Sequence, residues 1–142
     1  TILSGVDLLP TFCNIAGIQV NQALNLDGQD MSKALLGTPM KRTKPLMWEY
    51  RFGPWGRHLQ KSPALAMRDG DWKLMMNPDR SRIELYNLKD NPCEVDNLAH
   101  ENPDRVHSMS LQLLQWHNAL PGAATMPAGA GSFAYPWPGK KQ

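Results

Sequence analysis

The sequence predicts a small α+β fold: an antiparallel sheet of three to four short strands, packed by one long C-terminal helix. Three observations predict it. Asp69-Gly70 stands between Ala64–Arg68 and Trp72–Met76, two short apolar-rich runs, which is the signal of a type I′ hairpin. A further run, Ile83–Leu88, follows turn residues 77–82 and is expected antiparallel to Trp72–Met76. Val106, Met109, Leu113, Trp116 and Leu120 then form one stripe at helical spacing.

The elements follow in order. Residues 4–16 read as a helix, with Ser4 as cap and Asp7 three positions later as its capping-box partner. Val6, Leu9, Phe12, Cys13 and Ala16 fall near one face, so Cys13 reads as a small buried hydrophobe. Pro10 either kinks this helix or moves its start to about residues 7–10, and Gly17 stops it. Residues 18–30 form a loop with a turn at Asp27-Gly28. Asp30 or Ser32 opens a short helical turn that Gly37 ends. Residues 38–45 carry Pro and Lys/Arg without periodicity and mark the internal boundary. Pro45–Arg51 reads as a strand, 52–63 as a loop with two Gly and two Pro.

Residues 89–98 are a polar connection. Asn102-Pro103-Asp104 then opens the last helix: Asn caps, Pro occupies the first turn at no hydrogen-bond cost, and Asp meets the positive helix end. Pro121-Gly122 ends it. The last 22 residues are rich in Ala, Gly and Pro and show no core pattern, so they read as a tail. The organisation is therefore 1–44, then a sheet-and-helix unit over 45–120, then the tail 121–142. The helix in 4–16 carries an apolar face that the small sheet does not cover.

Composition excludes several classes of protein. With 42% hydrophobic and 20% charged residues, the chain can build a core and is not wholly disordered. A net charge of +2 is too small for a nucleic-acid footprint. Apolar runs are only a few residues long, so no membrane span is expected. Two cysteines exclude a disulfide-rich scaffold. Residue 1 is Thr and no basic, apolar leader follows, so no signal peptide is expected in this chain.

No self-contained catalytic centre is expected. His58, His100, His107 and His117 are scattered without zinc-site spacing, with His107 and His117 placed on the outer face of the last helix. Asp69-Gly70-Asp71 reads as a turn rather than a cation site. Asp90, Glu94 and Asp96 lack the calcium-loop pattern, because Pro92 stands at a ligand position and the Gly is missing. One segment carries binding chemistry: Trp48 to His58, where aromatics alternate with Arg and His in a Gly/Pro loop. Aromatic faces stack on sugar rings and Arg forks grip sulfate, phosphate or carboxylate. The candidate substrate-binding residues are Arg51, Trp55, Arg57 and His58.

The order of these pieces resembles the arylsulfatase-type sulfatases. Ser4-Gly5-Val6-Asp7-Leu8-Leu9-Pro10-Thr11-Phe12 through Ala16-Gly17-Ile18 is similar to that family's S-x-V-D-L-x-P-T helix. Leu26-Asp27-Gly28, Leu35-Leu36-Gly37, Ala66–Leu74, Glu84–Leu88 and Asp90–Leu98 resemble its later segments in the same order. The Tyr135-Pro136-Trp137-Pro138 tail also looks like the end of some bacterial sulfatases. The resemblance implies an alkaline-phosphatase-like α/β enzyme with a smaller C-terminal sheet and helix. The 4–16 helix would belong to a missing α/β domain.

The resemblance also implies sulfate-ester hydrolysis by a formylglycine made from Cys or Ser in C/S-x-P-x-R, with a calcium ion beside it. Neither Cys13 nor Cys93 begins that pattern, and no Ser does. The expectation is the C-terminal part of a sulfatase, inactive alone, with no catalytic or metal residue of its own. It would wall one side of a pocket for a sulfated small molecule or glycan and partner the N-terminal catalytic part. Calcium and formylglycine would belong to the full-length protein, and a periplasmic or secreted location follows from the same resemblance. The alternative is a free-standing module that binds an anionic glycan.

Overall fold

The computed structural model describes residues 1–50 and 62–120, which divide into two compact units after Leu46. Residues 51–61 and 121–142, and with them Arg51, Trp55, Arg57, His58 and the expected Pro121-Gly122 stop, lie outside the described residues.

In the first unit, a single 3-10 turn over Gly5–Asp7 leads into α1, Leu8–Ile15. Of the two outcomes open for Pro10, the start has moved: the helix begins at Leu8, which leaves Pro10 in the first turn, where its missing N–H has no partner to lose. Gly17 sits at φ +69°, and the Ile18 N–H reaches back to the Cys13 carbonyl, which closes the helix end. A 3-10 turn over Gln22–Leu24 and the short α2, Ser32–Leu35, complete the unit. Gly37 at φ +94° ends α2 in the same way, with Thr38 N–H on the Lys33 carbonyl.

The inner side of α1 is polar. Asp7, Pro10 and Thr11 are buried, whereas Val6, Leu9 and Phe12 (54% exposed) face outward and Cys13 is only half-buried. Cys13 is thus less buried than expected, and the apolar face of the helix is largely exposed. The inward side instead holds the chain together through hydrogen bonds. Asp7 accepts from the backbone N–H of Ser4 (2.9 Å) and Gln29 (3.0 Å) and pairs with Arg42. Thr11 Oγ1 accepts from the Met31 N–H. Gly28 lies so close to this turn that a Cβ there would stand 1.9 Å from the Val6 carbonyl oxygen.

The second unit is a four-strand sheet in the order β1 (Leu46–Glu49), β2 (Leu65–Asp69), β3 (Trp72–Met76), β4 (Glu84–Asn87), crossed by α3 (Pro103–Ala119). β2, β3 and β4 form an antiparallel meander, with Met67 opposite Leu74 and Leu74 opposite Leu85. Asp69 pairs with Trp72, so the two-residue turn is Gly70-Asp71, one position later than Asp69-Gly70. Only its first residue, Gly70, has positive φ (+56°), which fits a II′ turn rather than I′.

Leu65, Met67, Leu74, Met76 and Leu85 from one sheet face meet Met109 and Leu113 from α3. Val106 and Trp116 pack against this core, as their stripe predicts. Asn97 closes the outer edge of β4: its side chain accepts from Leu85 N–H and donates to the Ile83 carbonyl.

Two expectations for α3 are corrected. Asn102 precedes the helix, but its side chain makes no cap; it donates to the Leu98 carbonyl at 3.1 Å. His117 lies inward rather than on the outer face. It is 4% exposed, with Nε2 3.3 Å from Glu49 Oε1 of β1, because that position falls on the same face as Met109 and Leu113. Among the described residues, no helix is long and apolar enough to cross a membrane.

Candidate functional site

Strand alternation gives the sheet two faces with different chemistry. On β1, Met47 packs towards the core and Glu49 meets His117, so Trp48 and Tyr50 fall on the opposite side. That opposite side also carries Ala66, Lys73, Met75, Glu84 and Tyr86, by the register of β2, β3 and β4. A cleft of about 350 Å³ opens there, walled by Trp48, Tyr50, Ala64, Ala66, Lys73 and Met75. The Tyr50 N–H donates to the Ala64 carbonyl at 2.7 Å, which fixes the end of β1 against the start of β2 beside the cleft.

Trp48 and Tyr50 are both exposed, so their ring faces are accessible. Lys73 Nζ is held by both carboxylate oxygens of Glu94, at 2.8 and 2.7 Å, which balances its charge on the spot. Beside it, Tyr86 donates its hydroxyl to Glu84 at 3.1 Å, and Arg82 stands 3.4 Å from the same carboxylate. Burial raises the Glu84 carboxyl above its ordinary range, although Arg82 and the Tyr86 hydrogen bond oppose it. Burial first, and the neighbouring Glu84 second, push the Tyr86 phenol well above its ordinary value. This hydrogen-bonded network forms the polar part of the face beside the cleft. The cleft suits the apolar face of a ring stacked on Trp48 or Tyr50.

The sequence singled out Trp48 and Tyr50 as part of an aromatic segment; Glu94 stood in an acidic loop, and Lys73 and Tyr86 in segments of the family resemblance. Lys73 and Glu94 are 21 positions apart, and the path of the chain after β4 brings them together. Among the described residues, no group of three or more His, Cys, Asp or Glu could hold a metal ion. Those residues therefore do not fit the calcium ion that the family resemblance implies.

No family model matches the chain. Over 107 residues it is 31% identical to a choline-sulfatase of Rhizobium meliloti (strain 1021), covering 72% of this chain and 19% of that protein. It is 26% identical over 118 residues to arylsulfatase K of Xenopus laevis, covering 80% of this chain and 22% of that protein. The chain thus spans about a fifth of the length of the curated relatives it matches. Among solved structures, the 2-O GAG sulfatase BT1596 superposes with a TM-score of 0.63 at 21% identity, over 96% of this chain and 30% of that one. BT4656, solved in complex with its substrate D-glucosamine-2-N,6-O-disulfate, gives 0.55 at 25% identity, over 78% and 22%.

The fold is that of a small α+β unit found within sulfatases. The chain itself is a sulfatase-type C-terminal part.

Proposed function

We propose that this chain is the C-terminal portion of a sulfuric ester hydrolase, where it completes the fold and lines one side of the substrate pocket. The observation that carries this reading is the disparity of coverage: sulfatases match about three quarters of this chain with only a fifth of their own length. In this reading residues 1–44 end the α/β domain, 45–120 form the sheet-and-helix subdomain and 121–142 its tail. The N-terminal part of the same protein covers the exposed apolar face of α1. It also supplies the nucleophile, a formylglycine, and the calcium ion that assists it. In the sequence, Tyr50 is followed at once by the segment that carries Arg51, Trp55, Arg57 and His58. Together they would hold a sulfated sugar, aromatic faces on the ring and cations on the sulfate.

The test is sulfate release from choline sulfate and from sulfated glycosaminoglycan disaccharides, by the 142-residue chain and by the longer protein that carries it. The longer protein is expected to hydrolyse at least one of these and the chain alone none. In the longer protein, Arg57→Ala is expected to raise KM more than it lowers kcat, since the contact exists in ground and transition states alike. Turnover by the chain alone would refute the missing nucleophile. Unchanged kinetics in both Arg57→Ala and Trp55→Ala would refute the pocket role.

A further inference from the structure

A second cleft, of about 520 Å³, lies between the 77–82 turn, the segment before α3 and the first half of α3 itself. Arg80, Arg82, His100, His107 and Ser110 line it, above a floor of Ile83, Ala99, Pro103 and Val106. No carboxylate is among these lining residues. Ser110 is only 5% exposed, and its Oγ has no hydrogen-bond partner among the described residues. A buried hydroxyl without a partner is costly unless something comes to meet it.

The two arginines leave the turn from fixed backbone positions. Arg80 and Arg82 both sit in the left-handed region, at φ +64° and +52°, which is uncommon for a residue with a side chain. The turn is locked by Asn77 Nδ2 donating to Ser81 Oγ at 2.8 Å, and by Asp79 accepting from the Ser81 N–H at 2.9 Å. Asp79 is thus occupied within the turn. Arg82 shares its charge with Glu84, 3.4 Å away, while the Arg80 guanidinium has no ion pair among the described residues.

We propose that this cleft binds the tetrahedral oxyanion of a sulfate or phosphate ester. Donors come from three directions: the Arg80 guanidinium from the turn, an imidazole from the segment before α3, and an imidazole and a hydroxyl from α3. Such an arrangement suits an anion with three or four acceptor oxygens better than a two-oxygen carboxylate. The apolar floor takes the organic part of the ester.

The test is a nuclear magnetic resonance titration of the 142-residue chain with glucose 6-sulfate and with glucose 6-phosphate. Sodium chloride holds the ionic strength constant, and glucose serves as the neutral control. Saturable shifts are expected at His100, His107 and Ser110, with His117, outside the cleft, unmoved. Arg80→Gly is the decisive variant, because glycine accepts φ +64° without strain and the turn is expected to keep its fold. It should weaken binding about ten-fold, as loss of a charge-assisted pair does. Saturation by either ester supports the proposal, and the ester that saturates names the source of the oxyanion. Shifts that fail to saturate with both esters, that glucose reproduces, or that persist undiminished in Arg80→Gly would overturn it.

Discussion

Asp7→Ala is expected to unfold the first unit while leaving the second intact. The carboxylate of Asp7 is 2% exposed and serves three donors: the Ser4 and Gln29 backbone N–H groups and the Arg42 guanidinium. The Arg42 side chain is itself only 4% exposed. Its Nε already donates to the Lys44 carbonyl, and its Nη2 has no partner among the described residues. No second acceptor therefore waits for the guanidinium once Asp7 is gone. Removing one member of a buried ion pair costs about 3–5 kcal/mol, because the other charge stays buried without compensation. A 46-residue unit is marginal to begin with, and this one buries little apolar surface of its own: Met31 and, at its last residue, Leu46. The loss should exceed what the unit has. Burial alone would raise the Asp7 carboxyl, but the hydrogen bonds from Arg42, Gln29 and Ser4 outweigh it and hold it below its ordinary value. Its contribution is therefore present above the ordinary carboxylate value of 3.8 and lost as pH falls through the depressed one. Amide hydrogen exchange at neutral pH is the assay. Residues 1–46 should lose protection in Asp7→Ala, and residues 62–120 should keep theirs. Equal protection of residues 1–46 in variant and wild type would refute the reasoning.

Two further outcomes test the second unit. Glu84 is raised in the folded state, so its favourable contribution is full below the ordinary carboxylate value and is lost as pH rises through the folded one. Glu84→Gln should therefore gain in Tm relative to wild type on going from pH 4 to pH 8, and a pH-independent difference would contradict the assignment. Asn102→Ala should cost about 1 kcal/mol through the lost bond to the Leu98 carbonyl. Asn102→Ser, a good N-cap, should not recover that loss in urea unfolding; full recovery would restore the capping role.

What could be read from the sequence was what depends on neighbours in the chain. The strands and α3 follow from alternation, turn residues and a 3.6-residue stripe, and all were legible to within a few positions. The one-residue shift of the hairpin turn arises because Asp69 joins the ladder opposite Trp72, a pairing that the turn residues alone do not specify. His117 was misplaced because its burial depends on β1, 68 positions earlier, bringing Glu49 against α3. The non-helix face of the sheet was half legible. Trp48 and Tyr50 stand out by type, but Lys73, Glu94, Glu84 and Tyr86 are ordinary residues until the fold brings them together. Ser110 carried no signal at all, since a serine on a helix shows its missing partner only in three dimensions.

The first unit reverses the usual arrangement of an amphipathic helix. α1 directs Asp7 and Thr11 inward and leaves Leu9, Phe12 and Ile15 about half exposed. A helix that packed only against its own unit would gain by the opposite rotation, since each large apolar side chain contributes about 1.5–3 kcal/mol when fully buried. The rotation is instead fixed from within. Asp7 joins the Ser4 turn, the Gln29 backbone and Arg42, and Thr11 joins the Met31 backbone, so turning α1 over would break both sets of bonds. The polar side thus joins segments distant in the sequence, and the apolar side remains for a surface that these 46 residues do not provide. In the reading proposed above, that surface is the α/β domain of the same protein. Leu9→Glu then separates the two roles: it should leave the hydrogen exchange of the isolated chain almost unchanged while abolishing soluble expression of the longer protein. Equal tolerance in both would mean that the face has no cover.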